Sequence, residues 1–436
     1  MKHVAVIDST GRGHALCDWF VRTSPAVVVH YLPGNALITH PRILSPINPI
    51  PLLDFEAMEA HLQPLDIDFI VVSHIESMSC GVVDYFRALG YQVVGADKAT
   101  AQLECSKSFG RLFCQRHGIP SPQTLAQASA ADILANCSRI QTPCVLKADG
   151  LRDVSDGAIL CHDGADVEAA ARFFISTGSA TDLVIVEELV AGREYSCIAM
   201  VSESGYHLLP LVRDYKRTYE GDLGKNCDGM GSTLSPSDQD PQLLAELERV
   251  IFTPMIQGLA QEGLRLSGFL YVGVMCTADG PRVLEINVRC GDSEAEVLLP
   301  GITTSAHSVF AAMLDGSLDR LGIQMDGRSR CSVAAVQGVA GTKDSAGWPF
   351  GPFESGFEVS GLDADEPPTR VFLANIVKGP RGLPVTSGGR VLHVVGAGVT
   401  LAEAVAHAYL RLSGISFAGM RYRLDIGHAA GSQRTQ

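Results

Sequence analysis

Basic residues are in short supply: 34 Lys and Arg stand against 48 Asp and Glu, for a formal net charge of −14. With no basic cluster to offset that balance, non-specific nucleic-acid binding is excluded as a function class, although a pocket of opposite local sign can still take an anionic substrate. No apolar stretch approaches the ~20 residues needed to span a bilayer, so no membrane partner is expected. The opening segment, MKHVAVIDSTGRGHAL, has no apolar region of signal-peptide length and no cleavage site, which points to a cytoplasmic protein. The 12 cysteines include no C-x-x-C pair; they are scattered singly, as at Cys17, Cys80, Cys105 and Cys114, and several sit in apolar runs, as Cys197 and Cys276 do. That spacing argues against a zinc site and a disulfide framework, and leaves reduced thiols packed as small hydrophobes. Repeats of fixed period and low-complexity tracts are also lacking.

What is present suits a folded chain of about three domains: 436 residues, 46% hydrophobic and 19% charged. Short apolar runs at His3–Ile7, Phe69–Val72 and Val93–Gly95 alternate with helical stretches at His14–Phe20 and Gly81–Leu89, which predicts a doubly wound parallel α/β unit. Ligands of such sheets bind where loops leave the carboxyl ends of strands, here Asp8–Gly13 and Ser73–Ser79. From Ala99 the texture changes. A helical segment carries Lys107; a strand at Cys144–Lys147 enters a glycine-containing loop; another, Leu183–Val186, ends in Glu187-Glu188. Residues Arg213–Pro236 read as a long polar loop, and Leu243–Gln261 as a helix. The runs Gly268–Thr277 and Arg282–Asn287 flank the turn Ala278-Asp279-Gly280 as a hairpin. Beyond Arg328 the chain turns to short strands and a closing helix, Leu401–Leu412.

The strongest chemical signal is Leu284-Glu285-Ile286-Asn287-Val288-Arg289. Period-two alternation on a strand puts Glu285, Asn287 and Arg289 on one face. A carboxylate and an amide oxygen suit Mg²⁺, which prefers hard oxygen donors, and a guanidinium can grip phosphate with two parallel bonds. An exposed edge strand with ordinary polar residues is the competing reading. It loses ground to Lys147, which ends an apolar strand and opens a loop, and to the ordered series Lys107, Lys147, Glu187-Glu188 and Glu194.

That order, with Val186-Glu187-Glu188-Leu189-Val190 and Glu285-x-Asn287-x-Arg289, resembles the ATP-grasp superfamily, and within it the glycinamide ribonucleotide synthetase (phosphoribosylamine–glycine ligase) family. Gln102–Lys107, Leu146–Leu151, Asp214–Arg217, Asp228–Gly231, Gly268–Glu294, Gly388–Leu392 and Asp425–Gly427 are similar to its motifs, and the resemblance covers about Met1–Gly427. It implies an α/β ATP-grasp fold: an N-terminal doubly wound domain over 1–100, a central ATP-grasp domain over 101–325 with a lid subdomain at about 120–190, and a small C-terminal domain over 326–436. Carried onto matching positions, Lys107, Lys147, Lys216 and Arg217 would hold ATP, Glu187 and Leu189 would line the adenine hinge, and Glu194 would bind ribose. Glu285 and Asn287 would hold Mg²⁺, with Mn²⁺ able to stand in. Arg289, Lys147 and Asp292 would be catalytic. Asp228, Gly229, Gly231 and Asp292 would lie near the amino acid, and Arg12, His14 and Glu76 near the amine.

The implied chemistry is amide formation through an acyl phosphate, with ADP and phosphate as products, between small-molecule substrates, by a monomer or homodimer. It asks for electrostatic clamping and positioning more than for a covalent nucleophile. Departures from the family pattern cluster. The first loop has Asp8 and Thr10 where glycines are expected, and Gly13 where a glutamate is. The second, Ser73–Met78, lacks its glycine and prolines. A Gly-Gly-Tyr-Pro stretch is missing near Gln337–Gly341, and the lid loop Arg152–Ala158 lacks its lysine, leaving Arg152 as a candidate for that charge. Asp8 adds bulk and negative charge where a phosphate would approach, and the three losses on the acceptor side together make the expected reading an amino acid such as glycine joined to an amine other than phosphoribosylamine. The alternatives are phosphoribosylamine–glycine ligase itself and a non-catalytic nucleotide-binding protein. His14 and His74 are expected to be hydrogen-bonding residues more than acid/base groups, and Cys105 a packed thiol.

Overall fold

A computed structural model describes residues 1–151, 157–227, 229–338, 353–362 and 367–428. In the N-terminal region the strand Lys2–Ile7 is central. It pairs in parallel with Val27–Leu32 on one side and Ile67–Val72 on the other, and Val93–Ala96 and Ile43–Leu44 extend the sheet. Val27–Leu32 is buried along its whole length. Its run of β-branched residues is what a strand covered on both faces requires. The helix Gly11–Thr23 leaves the carboxyl end of Lys2–Ile7, and the short helix Ile75–Ser79 follows Ile67–Val72. Both sequence-identified loops therefore open onto the same edge of the sheet.

The sheet does not end there. Gly95 and Ala96 pair with Ser267 and Leu266, at the start of the long strand Leu266–Thr277. That strand forms a hairpin with Gly280–Asn287 and pairs on its other edge with Arg193–Ser202. The ladder continues through Val212–Asp214 and Gly231–Leu234 to Ser329–Gln337, Arg390–Gly398 and Thr369–Leu373. Among the described residues, fifteen strands form this one sheet. The helix Leu401–Leu412, opened by a Thr400/Glu403 capping box, packs on Arg390–Gly398.

Three expectations are corrected. Arg213–Pro236 is not a loop but contributes four strands, of which Gly231–Leu234 is buried in the main sheet. Its small polar side chains hide it from a hydropathy reading: the Ser232 hydroxyl, fully buried, donates to the Ser293 carbonyl at 2.6 Å. The strand carrying Glu285 and Asn287 ends at Asn287, so Arg289 reaches its place from the following loop. The helix expected at Leu243–Gln261 runs as Pro241–Leu247, a wide turn Glu248–Phe252, and Thr253–Glu262. The wide turn lies just before Pro254, which has no N–H to donate.

A separate four-stranded antiparallel sheet, ordered Thr124–Ser129, Leu183–Glu188, Cys144–Ala148, Ala158–Cys161, carries the helices Ala130–Ala135 and Gly164–Thr177. It has its own core, including Ile133, Leu146, Phe174 and Val186. Among the described residues, no helix is long and apolar enough to cross a membrane.

Candidate active site

The two sheets face each other across a cavity of about 440 Å³. Among the described residues, seven cationic side chains and six carboxylates line it, so its local sign opposes the acidic whole. The small sheet supplies Lys147 and Glu187, the helix Lys107–Arg116 supplies Lys107 and Arg111, and the Gly280–Asn287 strand supplies Glu285 and Asn287.

Most of these charges are tied to one another. Glu187, only 2% exposed, is clamped from two sides: Arg111 lies 2.6 Å from Oε1 and Lys147 lies 2.8 Å from Oε2. The same two cations donate to the main hairpin, Arg111 to the Val283 carbonyl and Lys147 to that of Leu284. One buried triad thus bridges the two sheets. Lys107 donates to the Gly150 carbonyl at 3.4 Å and approaches Gly157 across the lid loop.

Lys216 sits between Glu194 at 2.6 Å and Glu285 at 2.8 Å. Burial alone would lower its pKa, but the two carboxylates outweigh that and hold it well above the usual lysine value. Burial likewise would raise Glu285, but Lys216, Lys147 and Arg289 bring it down to about 2. Glu285 is therefore ionised. The Asn287 amide oxygen accepts from Arg289 at 3.3 Å and keeps a second lone pair. An ionised carboxylate and an amide oxygen on one strand, both residues lining the cleft, are hard oxygen donors that fit Mg²⁺. Arg289 is anchored by Glu104 at 2.8 Å, whose other oxygen accepts from the Val288 N–H.

At the far end of the cleft, the Asp8 carboxylate is fully buried and does not face the cavity. One oxygen accepts from the Thr10 N–H and hydroxyl, and the other lies 2.9 Å from both Nε and Nη2 of Arg12. Asp8 also occupies the room that Gly13 leaves: a Cβ on Gly13 would meet Asp8 Cβ and the Tyr31 hydroxyl, each at 2.8 Å. The expectation that Asp8 presents an open negative charge is therefore corrected. Its charge is neutralised by Arg12, and its bulk replaces a side chain at position 13.

Of the residues singled out from the sequence, Arg12, Lys107, Lys147, Glu187, Lys216, Glu285, Asn287, Arg289 and Asp292 share this cavity. Leu189, Glu194, Arg217, Gly229, Gly231, His14 and Glu76 are not among its lining residues. Glu194 acts on it through Lys216, and Arg217 donates instead to the Gly224 carbonyl. His14 turns away: its Nδ1 accepts from the Leu373 N–H, and burial holds its pKa down at about 4. Glu76 is exposed on its short helix. His74 lines the cleft and caps that helix, its Nδ1 accepting from the Ser77 N–H. Burial raises the Cys105 thiol to about 12, which makes it a poor nucleophile. Asp228 and Arg152–Asp156 lie outside the described residues, as do Val339–Gly341.

Sequence reasoning passed over Arg111, and gave no role to Glu104, Asp214 or Arg390, although each of these three lies in a stretch similar to a family motif. Arg390 lies 2.6 Å from Asp292 and donates to its carbonyl. The retained Gly389-Arg390-Val391-Leu392 motif was the one signal for it.

The chain matches family models described as the phosphoribosylglycinamide synthetase N domain over residues 2–104, ATP-grasp (A) domain over 105–295 and C domain over 343–429. It is 34% identical over 432 residues to a phosphoribosylamine–glycine ligase from Ralstonia nicotianae, covering 98% of this chain and 99% of that one. The chain belongs to the phosphoribosylglycinamide synthetase family. A relative of the same name from Allochromatium vinosum is 35% identical over 436 residues, covering 98% of each chain. The crystal structure of phosphoribosylamine–glycine ligase from Thermotoga maritima superposes with a TM-score of 0.77 at 27% identity, covering 97% of this chain and all of that one. An L-amino acid ligase from Bacillus licheniformis shares the fold at 15% identity and a TM-score of 0.63, covering 96% of this chain and 98% of that one. The family member described here is an ATP-grasp, ADP-forming ligase, as the ordered lysines and the Glu285–Asn287 strand imply.

Proposed function

We propose that this chain joins the carboxylate of glycine to the amine of phosphoribosylamine at the expense of ATP. The observation that carries the reading is the Asp8–Arg12 pair. One objection to phosphoribosylamine, beside the altered Ser73–Met78 loop and the missing Gly-Gly-Tyr-Pro stretch, was an open carboxylate at its phosphate, and Asp8 spends its charge on Arg12 instead. Full-length likeness to relatives named phosphoribosylamine–glycine ligase supports it further.

In this reading the γ-phosphoryl group of ATP passes to a glycine carboxylate oxygen, leaving ADP and an acyl phosphate. The amine then attacks the acyl carbon and phosphate leaves. Lys107 and Lys147 would offset polyphosphate charge from two elements, and Arg289, held by Glu104, would meet the charge that builds on the phosphoryl oxygens. Glu285 and Asn287 would hold Mg²⁺, which supplies charge neutralisation of the phosphates when bound. Lys216 would keep Glu285 ionised and oriented, and Glu194 would reach the nucleotide's side of the cleft through it. Asp292, fixed by Arg390, would lie near the amino acid. The division at about residues 100 and 325, the lid at 120–190 and a cytoplasmic location are parts of the same proposal.

A second reading, an amine other than phosphoribosylamine, is favoured by one feature. Arg12 is committed to Asp8 and the Cys290 carbonyl, which leaves it less able to grip a phosphate. An ADP-release assay with glycine and phosphoribosylamine decides. Turnover dependent on both substrates supports the first reading. ADP release with other amines and none with phosphoribosylamine would move the assignment to the second.

A further inference from the structure

Behind the acceptor end of the cleft lies a cluster of which the proposed ligase chemistry uses Asp292 alone. Asp292 follows the metal-facing strand, Glu296 lies on the helix Glu294–Leu298, and His393 lies on the strand Arg390–Gly398. All three are buried, Glu296 and His393 completely. Their candidate donor atoms lie within 4.8 Å of one another. His393 Nε2 is 3.9 Å from Asp292 Oδ1, too long for a hydrogen bond. Two donors each about 2.1 Å from a shared tetrahedral ion stand roughly 3.4 Å apart, so closing on an ion asks the pair to approach by about half an ångström.

Hydrogen bonding within the protein leaves the cluster incomplete. Neither ring nitrogen of His393 has a partner, and the Glu296 carboxyl has beside it only the Asp292 carboxylate and its own backbone N–H. Burying such groups unsatisfied is costly, and most native sites avoid it. Asp292 is already oriented: Oδ2 takes Arg390 at 2.6 Å, and Oδ1 accepts from the Arg12 N–H while facing His393. The point where a Gly11 Cβ would stand is 2.6 Å from Glu296 Oε1, 2.8 Å from His393 Cδ2 and 3.4 Å from Asp292 Oδ1. Glycine at the start of that helix is what lets the three side chains converge.

A proton shared between Glu296 and Asp292 would satisfy two carboxylate oxygens but leave both His393 nitrogens unpaired. One cation engages all three residues. We propose that Asp292 Oδ1, Glu296 and His393 Nε2 bind a divalent first-row transition-metal ion, of the Zn²⁺ or Mn²⁺ class. The mixed imidazole and carboxylate set suits such ions better than Mg²⁺ or Ca²⁺, which favour all-oxygen shells. The site is separate from the Glu285–Asn287 pair. The ion fastens the first turn of the Gly11–Thr23 helix, the Asp292 loop and the Arg390–Gly398 strand, with Arg390 as the outer partner that orients Asp292. It is independent of which amine the enzyme uses.

The test is titration of untagged, chelator-treated full-length protein with Co²⁺ in the absence of nucleotide, followed by visible absorption and by metal content after desalting. The expected result is one tightly held Co²⁺ per chain, without the thiolate charge-transfer bands that cysteine ligation produces. E296Q and H393Q should bind at least about tenfold more weakly, while E285Q binds as wild type does. Three results overturn the proposal. These are wild type holding no stoichiometric ion, thiolate bands dominating the spectrum, or affinity unchanged in both E296Q and H393Q. Because the wild-type titration alone can refute it, poor folding of a variant does not shelter the idea.

Discussion

Replacing Glu187 by glutamine leaves Arg111 and Lys147 buried on either side of an uncharged amide. Both cations keep a carbonyl partner, Val283 and Leu284 respectively, so the loss is of charge balance more than of hydrogen bonds. Removing one member of a buried ion pair typically costs about 3–5 kcal/mol, and two cations here lose their shared counter-charge. The cost should fall on the contact between the small sheet and the main sheet, because the small sheet has a core of its own. At about 3 kcal/mol, the population of molecules with the small sheet detached rises by roughly a hundredfold or more. Native-state hydrogen exchange reads this directly. In E187Q, amides of Cys144–Ala148 and Leu183–Glu188 should exchange faster by that factor, while those of Lys2–Ile7 keep wild-type protection. The triply substituted R111M/K147M/E187M should regain much of the loss, since apolar side chains can replace a buried ionic triad. Unchanged protection in E187Q would refute the reasoning, as would equal loss in both sheets.

Other expectations follow from the same geometry. D8G strips Arg12 of its buried partner and should cost about 3–5 kcal/mol in urea unfolding, whereas D8G/G13E, which returns a carboxylate to the vacated space, should recover most of it; no recovery would mean that Asp8 does not stand in for a side chain at position 13. G13A alone should destabilise by about 1–3 kcal/mol, because its Cβ would overlap Asp8 and Tyr31. His14 is held neutral down to about pH 4, while the unfolded chain takes up that proton near 6.5. Its contribution is therefore complete above about pH 6.5 and is lost as pH falls toward 4, and H14Q should show a flatter melting-temperature profile across that window. E285Q should raise the Mg²⁺ concentration needed for half-maximal ADP release and, because it takes from Lys216 one of its two carboxylates, should also lower the melting temperature of the nucleotide-free enzyme. A Mg²⁺ dependence identical to wild type would remove Glu285 from the metal's shell.

Much of the site could be read from local pattern. Alternation on a strand announced Glu285 and Asn287, and an apolar run ending in a cation announced Lys147. What stayed hidden is what folding joins over distance. Arg111 meets Glu187 across 76 positions, and Asp292 meets Arg390 across 98. No window of sequence contains both partners, and a lone arginine in a helix reads as a solvated residue. Val27–Leu32 went unassigned although its composition favours a strand. Gly231–Leu234 was taken for loop because it buries hydroxyls in place of hydrocarbon. Asp8 shows the opposite error: its charge was evident, but its direction depends on a glycine five residues later and on Arg12.

The unbroken ladder from Ile43–Leu44 to Thr369–Leu373 limits where this enzyme can bend. A joint within it would have to snap interstrand hydrogen bonds, whereas the small sheet is moored to it at the cleft by Arg111, Lys147 and their carbonyls. Opening and closing over a nucleotide would then fall to the small sheet, and Lys147, one of the two side chains that moor it, is one that the triphosphate would compete for. Arrival of the ligand and loosening of the latch would become a single event.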